Sequence, residues 1–188
     1  MYYHCSLIGG LKVITPAVTK YFDKSNQVFV TTNLSIALLY SIINFEYTCG
    51  YEKNGKVYFD EYYPNAFEML YKEKKVSLYI CEEKSSYVQT ENANEYFSND
   101  SVAVIEELVI YDVYEKLLEL EKCKKIIINR YADMSNEMKN WIVNFEKDII
   151  IQKNALNCNN EYALYLKTHY AESWKLAEAE MNGTINKE

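Results

Sequence analysis

Two adjacent carboxylates, Glu106 and Glu107, lie amid Val, Leu and Ile in the stretch that runs from Val102 to Val113. An ionised carboxylate in an apolar strand costs free energy unless it has partners, and such groups are often kept for chemistry. An equally simple interpretation is that both carboxylates lie at the solvated start of the strand. Apolar residues occupy both faces of the stretch, so alternation does not choose between the two carboxylates.

A second candidate region is residues 27–40, where the apolar period changes halfway. Residues 28–30 are Val-Phe-Val, which is typical of a short buried strand. Thr32 and Asn33 offer side-chain oxygens to the free amides of a first helical turn, and a helix is predicted from Asn33 to about residue 44. Such a corner places backbone amides beside a cleft and could hold a small polar ligand. Most corners of this kind are only connections.

The histidines and cysteines predict no metal site and no thiol chemistry. His4 and Cys5 are neighbours on the first predicted strand, so they point to opposite faces and cannot pair as base and nucleophile. The five cysteines are widely spaced and include no Cys-x-x-Cys pair, which is unlike a disulfide framework or a zinc site. With His169 as the second and last histidine, we expect no metal and a reducing compartment.

Length, charge and hydropathy narrow the function classes. A chain of 188 residues can bury one full core. The formal net charge is -7, and the chain has no clustered excess of Lys and Arg. A nucleic-acid partner is therefore disfavoured, and a protein or small-molecule partner is favoured. No basic region precedes an apolar run at the N-terminus, and no stretch is long enough to span a membrane. We therefore expect a cytoplasmic location and no membrane partner.

The remaining periodicity predicts an α+β protein. Strands are predicted at residues 2–7, 28–30, 45–51, 56–62, 76–81, 102–113 and 125–131, with a hairpin turn at Asn54-Gly55. Residues 85–101 are polar and predict a long loop with Tyr96 and Phe97 exposed. Helices are predicted at residues 113–121 and from Ser135 onward. A further amphipathic helix is predicted from Tyr162 to Met181.

Three pieces of the chain, in order, resemble the ADP-ribosyltransferase family, specifically its diphtheria-toxin and poly(ADP-ribose) polymerase (H-Y-E) branch. They are Tyr3-His4-Cys5-Ser6, Val28-Phe29-Val30-Thr31-Thr32 running to Tyr40, and Glu107-Leu108-Val109-Ile110-Tyr111-Asp112. The resemblance implies a split mixed β-sheet core with flanking helices. It covers residues 1–115 as an NAD-binding core, with residues 116–188 as a mainly helical part of the same domain.

The resemblance also implies an activity, which is transfer of ADP-ribose from NAD to an unknown acceptor with release of nicotinamide. A toxin-like mono-transferase fits best. By resemblance, His4 binds the adenosine ribose, the Cys5 backbone pairs with the carboxamide, and Tyr40 stacks on the nicotinamide ring. Glu107 binds the nicotinamide ribose and stabilises the positive charge that develops as the bond breaks. No metal is required.

Ser6 and Phe29 complete the cofactor-binding positions implied by the resemblance. Ser6 stands at the family's Ser or Thr position after the histidine, and Phe29 replaces a residue that is usually Tyr. A serine that often binds the carboxamide falls at Ala37, with Ser35 nearby. These departures leave open a degenerate member that only binds NAD or a protein.

Two further questions stay open at the level of sequence. An RNA 2′-phosphotransferase of the same fold is disfavoured because the acidic chain has no basic extension. A toxin-like enzyme can also be delivered to a target cell without a recognisable signal peptide.

Overall fold

The computed structural model describes residues 1–18, 26–42 and 48–185. The strands in these residues are β1 (Tyr2–Ser6), β2 (Val13–Ile14), β3 (Ala17–Val18), β4 (Asn26–Thr31), β5 (Cys49–Tyr51), β6 (Val57–Asp60), β7 (Val76–Cys81), β8 (Val88–Gln89), β9 (Glu95–Ser98), β10 (Val102–Ile110) and β11 (Ile126–Asn129). The α-helices are α1 (Leu34–Leu39), α2 (Ala66–Tyr71), α3 (Val113–Lys122), α4 (Asn136–Gln152), α5 (Glu161–His169) and α6 (Ala171–Ile185). The predicted α+β class is therefore confirmed.

The chain forms two compact units. The first contains residues 1–60 and 67–128, and the second contains residues 61–66 and 129–188. The assignment of residues 1–115 and 116–188 to a single domain stays a prediction.

The first unit is built on an antiparallel sheet with the strand order β2-β10-β7-β1-β4-β9-β8, and β3 pairs with β4. Side chains alternate between the two faces of each strand, and each face has its own core. One core includes Ile36 and Leu38 of α1, with Cys5 packed against it. The other includes Val30 and Tyr79. Cys5 of β1 thus packs against one core, and Tyr2 of the same strand packs against the other.

The hairpin predicted around Asn54-Gly55 is present, formed by β5 and β6. Gly55 has a φ of +80°, which glycine adopts without strain, and the Lys56 amide donates to Asn54 Oδ1 at 2.8 Å. The predicted strand at 45–51 falls partly on residues 43–47, outside the described residues. The helix predicted to continue to about residue 44 is wrong at its end, because α1 ends at Leu39 with Tyr40 as its C-cap.

The predicted loop at residues 85–101 is wrong in part, because β8 and β9 lie within it. Tyr96 pairs with Val30 across β4 and β9 and packs edge-on against Tyr2, with ring centroids 5.3 Å apart. Phe97 lies opposite Phe29, with ring centroids 6.3 Å apart. Both rings are half-buried. The polar composition around these rings predicted a loop, whereas the segment forms a strand by pairing with β4, which is distant in the sequence.

In the second unit, the helix predicted from Tyr162 to Met181 is two helices that meet at Tyr170. Tyr170 departs from helical geometry, with φ -121° and ψ 48°. Tyr170 and Trp174 are both buried in one core, and the Trp174 amide donates to the Tyr170 carbonyl at 2.8 Å. The apolar spacing continues through the break, so periodicity could not detect it.

Replacement of Asn33 by Ala should lower the free energy of unfolding by about 1 kcal/mol. The Asn33 side chain accepts from the amides of Ser35 and Ile36 at 2.9 and 3.3 Å and so caps α1. Urea unfolding measures the loss. Asn33→Asp keeps the capping oxygen and should keep the stability, whereas an equal loss in both variants would show that the cap is not the cause.

Candidate active site

The first two pieces singled out in the sequence lie side by side, because β1 pairs with β4. In the described residues the ladder between these strands consists of the single pair Tyr3 and Thr31. Beyond it, His4 Nδ1 lies 2.9 Å from the Phe29 carbonyl oxygen. Burial lowers the pKa of His4 below its ordinary value, so the ring is neutral at neutral pH and its Nδ1–H donates to that carbonyl. The sheet therefore opens at Cys5, with His4 bridging the gap.

Glu107 lies on the same face as His4 but two strands away. Glu107 is opposite Tyr79, and Tyr79 is opposite His4. Residues directly opposite each other on neighbouring strands point to the same face. Two strand spacings put roughly 10 Å between the backbones of His4 and Glu107. The fully buried Tyr79 stands between them.

The carboxylate of Glu107 is held by its own chain. Glu107 Oε1 accepts from the Gly10 amide at 2.9 Å and from Ser77 Oγ at 2.7 Å. The Gly10 amide, and then the Ser77 hydroxyl, hold the pKa of Glu107 below its ordinary value. Glu107 also borders a cavity of about 380 Å³, which is lined by Leu7, Gly9, Lys75, Val76, Ser77, Glu107 and Val109. The result is a fixed anion beside a cavity.

The segment after β1 folds back over the His4 face. Tyr79 donates its hydroxyl to the Ile8 carbonyl at 2.7 Å and accepts from the Leu11 amide at 3.2 Å. The ring of His4 stacks near that of Tyr79, with centroids 6.5 Å apart. Together with Gly10, these contacts make Glu107 and Tyr79 the anchors of residues 8–11.

The difference in stability between the wild-type protein and Glu107→Gln should depend on pH. A carboxylate with a lowered pKa stabilises the fold above its unfolded pKa, and this contribution is lost as pH falls through the folded pKa. We expect the thermal midpoint of Glu107→Gln to lie below that of the wild type at neutral pH and to approach it in acid. Glu106→Gln is the matched control and should show no such trend. A difference that stays constant with pH would contradict the anchoring role.

Tyr40 belongs to a different group of residues, which we call the Tyr40 cluster. Its members are Tyr40, Glu95, Thr31, Tyr51 and Asn92. Tyr40 ends α1 and is 40% exposed, and its hydroxyl donates to Glu95 Oε1 in a long hydrogen bond of 3.5 Å. Asn92 Nδ2 donates to Glu95 Oε2 at 3.3 Å. Glu95 is only 9% exposed, and burial raises its pKa above the ordinary value.

The chain places Glu95 through a turn at Asn94. Asn94 has a φ of +67°, and its carbonyl accepts from Thr31 Oγ1 at 2.7 Å and from the Thr32 amide at 2.9 Å. This turn fixes the start of β9 against the end of β4, so Glu95 lies opposite Thr31. Glu95 was missed in the sequence because the polar stretch around it predicted a loop. The run Glu95-Tyr96-Phe97 after Asn-Ala-Asn was the available strand signal.

The predicted site residues are divided between the two faces of the sheet. Glu95 lies opposite Thr31, which lies opposite Tyr3, so Glu95 points to the face of Tyr3. His4 follows Tyr3 and points to the other face, with Glu107. The structure thus brings Tyr40 together with Glu95 and does not bring it together with Glu107.

The other predicted positions have their own partners. Phe29 shares the face of Thr31, two residues along β4. Ser6 Oγ accepts from the Ile8 amide at 3.1 Å. Burial raises the pKa of the Cys5 thiol to about 12, which keeps it neutral. Ser35 is buried with its hydroxyl 3.4 Å from the Lys125 carbonyl, so it does not reach toward Tyr40.

Comparisons with protein-family models, with curated proteins and with solved structures give no match. Within residues 1–18, 26–42 and 48–185, no three His, Cys, Asp or Glu side chains group as metal ligands. In the same part of the chain, no helix has both the length and the apolar character needed to cross a bilayer.

Proposed function

We propose that this protein is an NAD-dependent mono-ADP-ribosyltransferase with the split sheet of that family. The observation that carries the proposal is the opening between β1 and β4, where His4 bridges to the Phe29 carbonyl. The opening leaves the backbone at Cys5 outside the single pair that joins these strands. A capped helix then leads from β4 to Tyr40. Backbone, histidine and aromatic ring thus follow in the order that the resemblance implies.

The proposed reaction breaks the bond between ribose C1′ and the nicotinamide nitrogen. The electron pair leaves with nicotinamide, the acceptor's heteroatom bonds to C1′, and the acceptor's proton passes to water. The transition state resembles an oxocarbenium ion, and a fixed anion beside it lowers the barrier.

Two carboxylates of the described residues meet this requirement in different ways. Glu107 is fixed by two donors and is kept ionised, as a charge stabiliser needs to be. Glu95 is more deeply buried and lies beside the Tyr40 ring. The resemblance and the face shared with His4 support Glu107, whereas the hydrogen bond with Tyr40 supports Glu95.

A second candidate function is an NAD-binding or protein-interaction module without catalysis. The separation of Tyr40 from Glu107 favours it, because the predicted ring and the predicted acid do not share a face. The hydroxyl missing at Phe29 favours it too.

Two measurements on the purified protein separate these functions. Calorimetry with NAD measures binding, and chromatography of the same mixture measures released nicotinamide. A transferase binds NAD and releases nicotinamide, with water as the acceptor if no other is present. A module that only binds gives heat but no nicotinamide. Candidate protein and small-molecule acceptors can then be compared using NAD labelled in its adenosine half.

A further inference from the structure

We propose that Glu95, rather than Glu107, is the carboxylate that contacts the nicotinamide end of NAD, and that Glu95 and Tyr40 together select NAD over NADH. This inference rests on the proposed function, and it names the residues that recognise the substrate's charge.

The first support is geometric. A ring that stacks on Tyr40 lies beside the group to which Tyr40 is hydrogen-bonded, and that group is the Glu95 carboxylate. Glu107 points to the opposite face of the sheet and is separated from β4 by β7 and β1. The nicotinamide nitrogen, which has the formal positive charge, is bonded directly to the ribose carbon that reacts. An anion that attracts the charged ring is therefore also close to the positive charge that develops on that carbon.

The second support is the distribution of charge in the Tyr40 cluster. Among the described residues, the side chains that donate to the Glu95 carboxylate are those of Tyr40 and Asn92, and both are neutral. Two other titratable groups lie near Glu95 on β5, namely Cys49 and Tyr51. Burial, and then the charge of Glu95, raises the pKa of Cys49 to about 12 and raises that of Tyr51. Both therefore stay neutral. An ionised Glu95 is the carboxylate among the five members of the Tyr40 cluster, and the charge of Asp60 also acts on the neighbouring Cys49.

Glu107 is in the opposite situation. The Gly10 amide and the Ser77 hydroxyl occupy its Oε1, and the charge of Lys12 also acts on it. Lys12 is a cation of the chain itself, so part of the Glu107 charge is already compensated, whereas Tyr40 and Asn92, which donate to Glu95, are neutral.

The third support comes from the ligand's chemistry. The oxidised nicotinamide ring is planar and positively charged, whereas the reduced ring is neutral. A cation over a tyrosine face gains roughly 0.5 to 2 kcal/mol, and an anion nearby adds attraction that the neutral ring cannot obtain. A partly exposed tyrosine beside a buried carboxylate is therefore suited to the oxidised form.

Burial of Glu95 adds a dependence on pH. Because its pKa is raised, Glu95 becomes protonated at a higher pH than an exposed glutamate does. NAD affinity should fall as pH is lowered through that raised value, since the carboxylate loses its charge. NADH affinity should change little, because the reduced nicotinamide ring is neutral and does not depend on the charge of Glu95.

The experiment is calorimetric titration of NAD and of NADH into the wild type and three variants. We expect the wild type to bind NAD at least about tenfold more tightly than NADH, which is about 1.4 kcal/mol. Glu95→Gln should abolish this preference while circular dichroism shows a native fold. Glu91→Gln, an exposed carboxylate in the same segment, should keep it, and so should Glu107→Gln.

Titration of the wild type over pH gives a test that needs no variant. The preference for NAD should shrink in acid through loss of NAD affinity. Equal affinities in the wild type, a preference that survives Glu95→Gln, or a preference lost in Glu107→Gln would each overturn the inference. Selective NAD binding without nicotinamide release would instead overturn the proposed function and leave the recognition of charge in place.

Discussion

Glu95→Gln is expected to lower the rate of nicotinamide release from NAD on the order of 10²-fold, the typical cost of removing one preorganised electrostatic group. Glutamine keeps the shape of the side chain and still accepts from Tyr40, so the loss comes from the charge. Since that charge acts most strongly on the transition state, kcat should fall further than NAD affinity does. Steady-state release, measured by chromatography, gives both quantities.

Glu107→Gln is the matched comparison for this prediction. It removes an equivalent charge from the other face of the sheet, where Gly10 and Ser77 use it. We expect release by this variant to stay within a fewfold of the wild type under conditions where it is folded. The reverse pattern, with release retained in Glu95→Gln and lost in Glu107→Gln, would assign the acid to Glu107.

Tyr40→Ala should weaken NAD binding about tenfold, because stacking on an aromatic ring contributes roughly 1 kcal/mol beyond buried area and the attraction of a cation adds to it. Calorimetry measures the change. Tyr40→Phe keeps the ring and should keep most of the affinity. Tyr111→Ala, which removes a tyrosine that is 74% exposed, is the control. Unchanged NAD affinity in Tyr40→Ala would place the ligand away from the Tyr40 cluster.

The elements predicted best from the sequence are those whose signal is local. Residues 76–81 were predicted as a strand and form β7 with the same bounds, because a short β-branched and apolar run fits a buried strand. The start of α1 was also readable, since Asn33 caps it through two amides of the next turn. In both cases the interactions that decide the structure lie within a few residues.

The features that the sequence did not reveal depend on distant partners. β9 is polar and becomes a strand by pairing with β4, which lies more than sixty residues away in the chain. The Gly10 amide, which donates to the Glu107 carboxylate, is 97 residues away from Glu107 in the chain. Which carboxylate shares a face with Tyr40 depends on strand register, and a shift of one residue reverses the face. Local spacing contains no information on such a register.

The most direct test of the proposed activity is release of nicotinamide from NAD by the wild-type protein and by the double variant Glu95→Gln/Glu107→Gln. The double variant removes both candidate anions, so the test does not depend on which of them acts. We expect release by the wild type and almost none by a double variant that is shown to be folded. No release by the wild type, or equal release by the two proteins, would contradict carboxylate-assisted cleavage of NAD at this site.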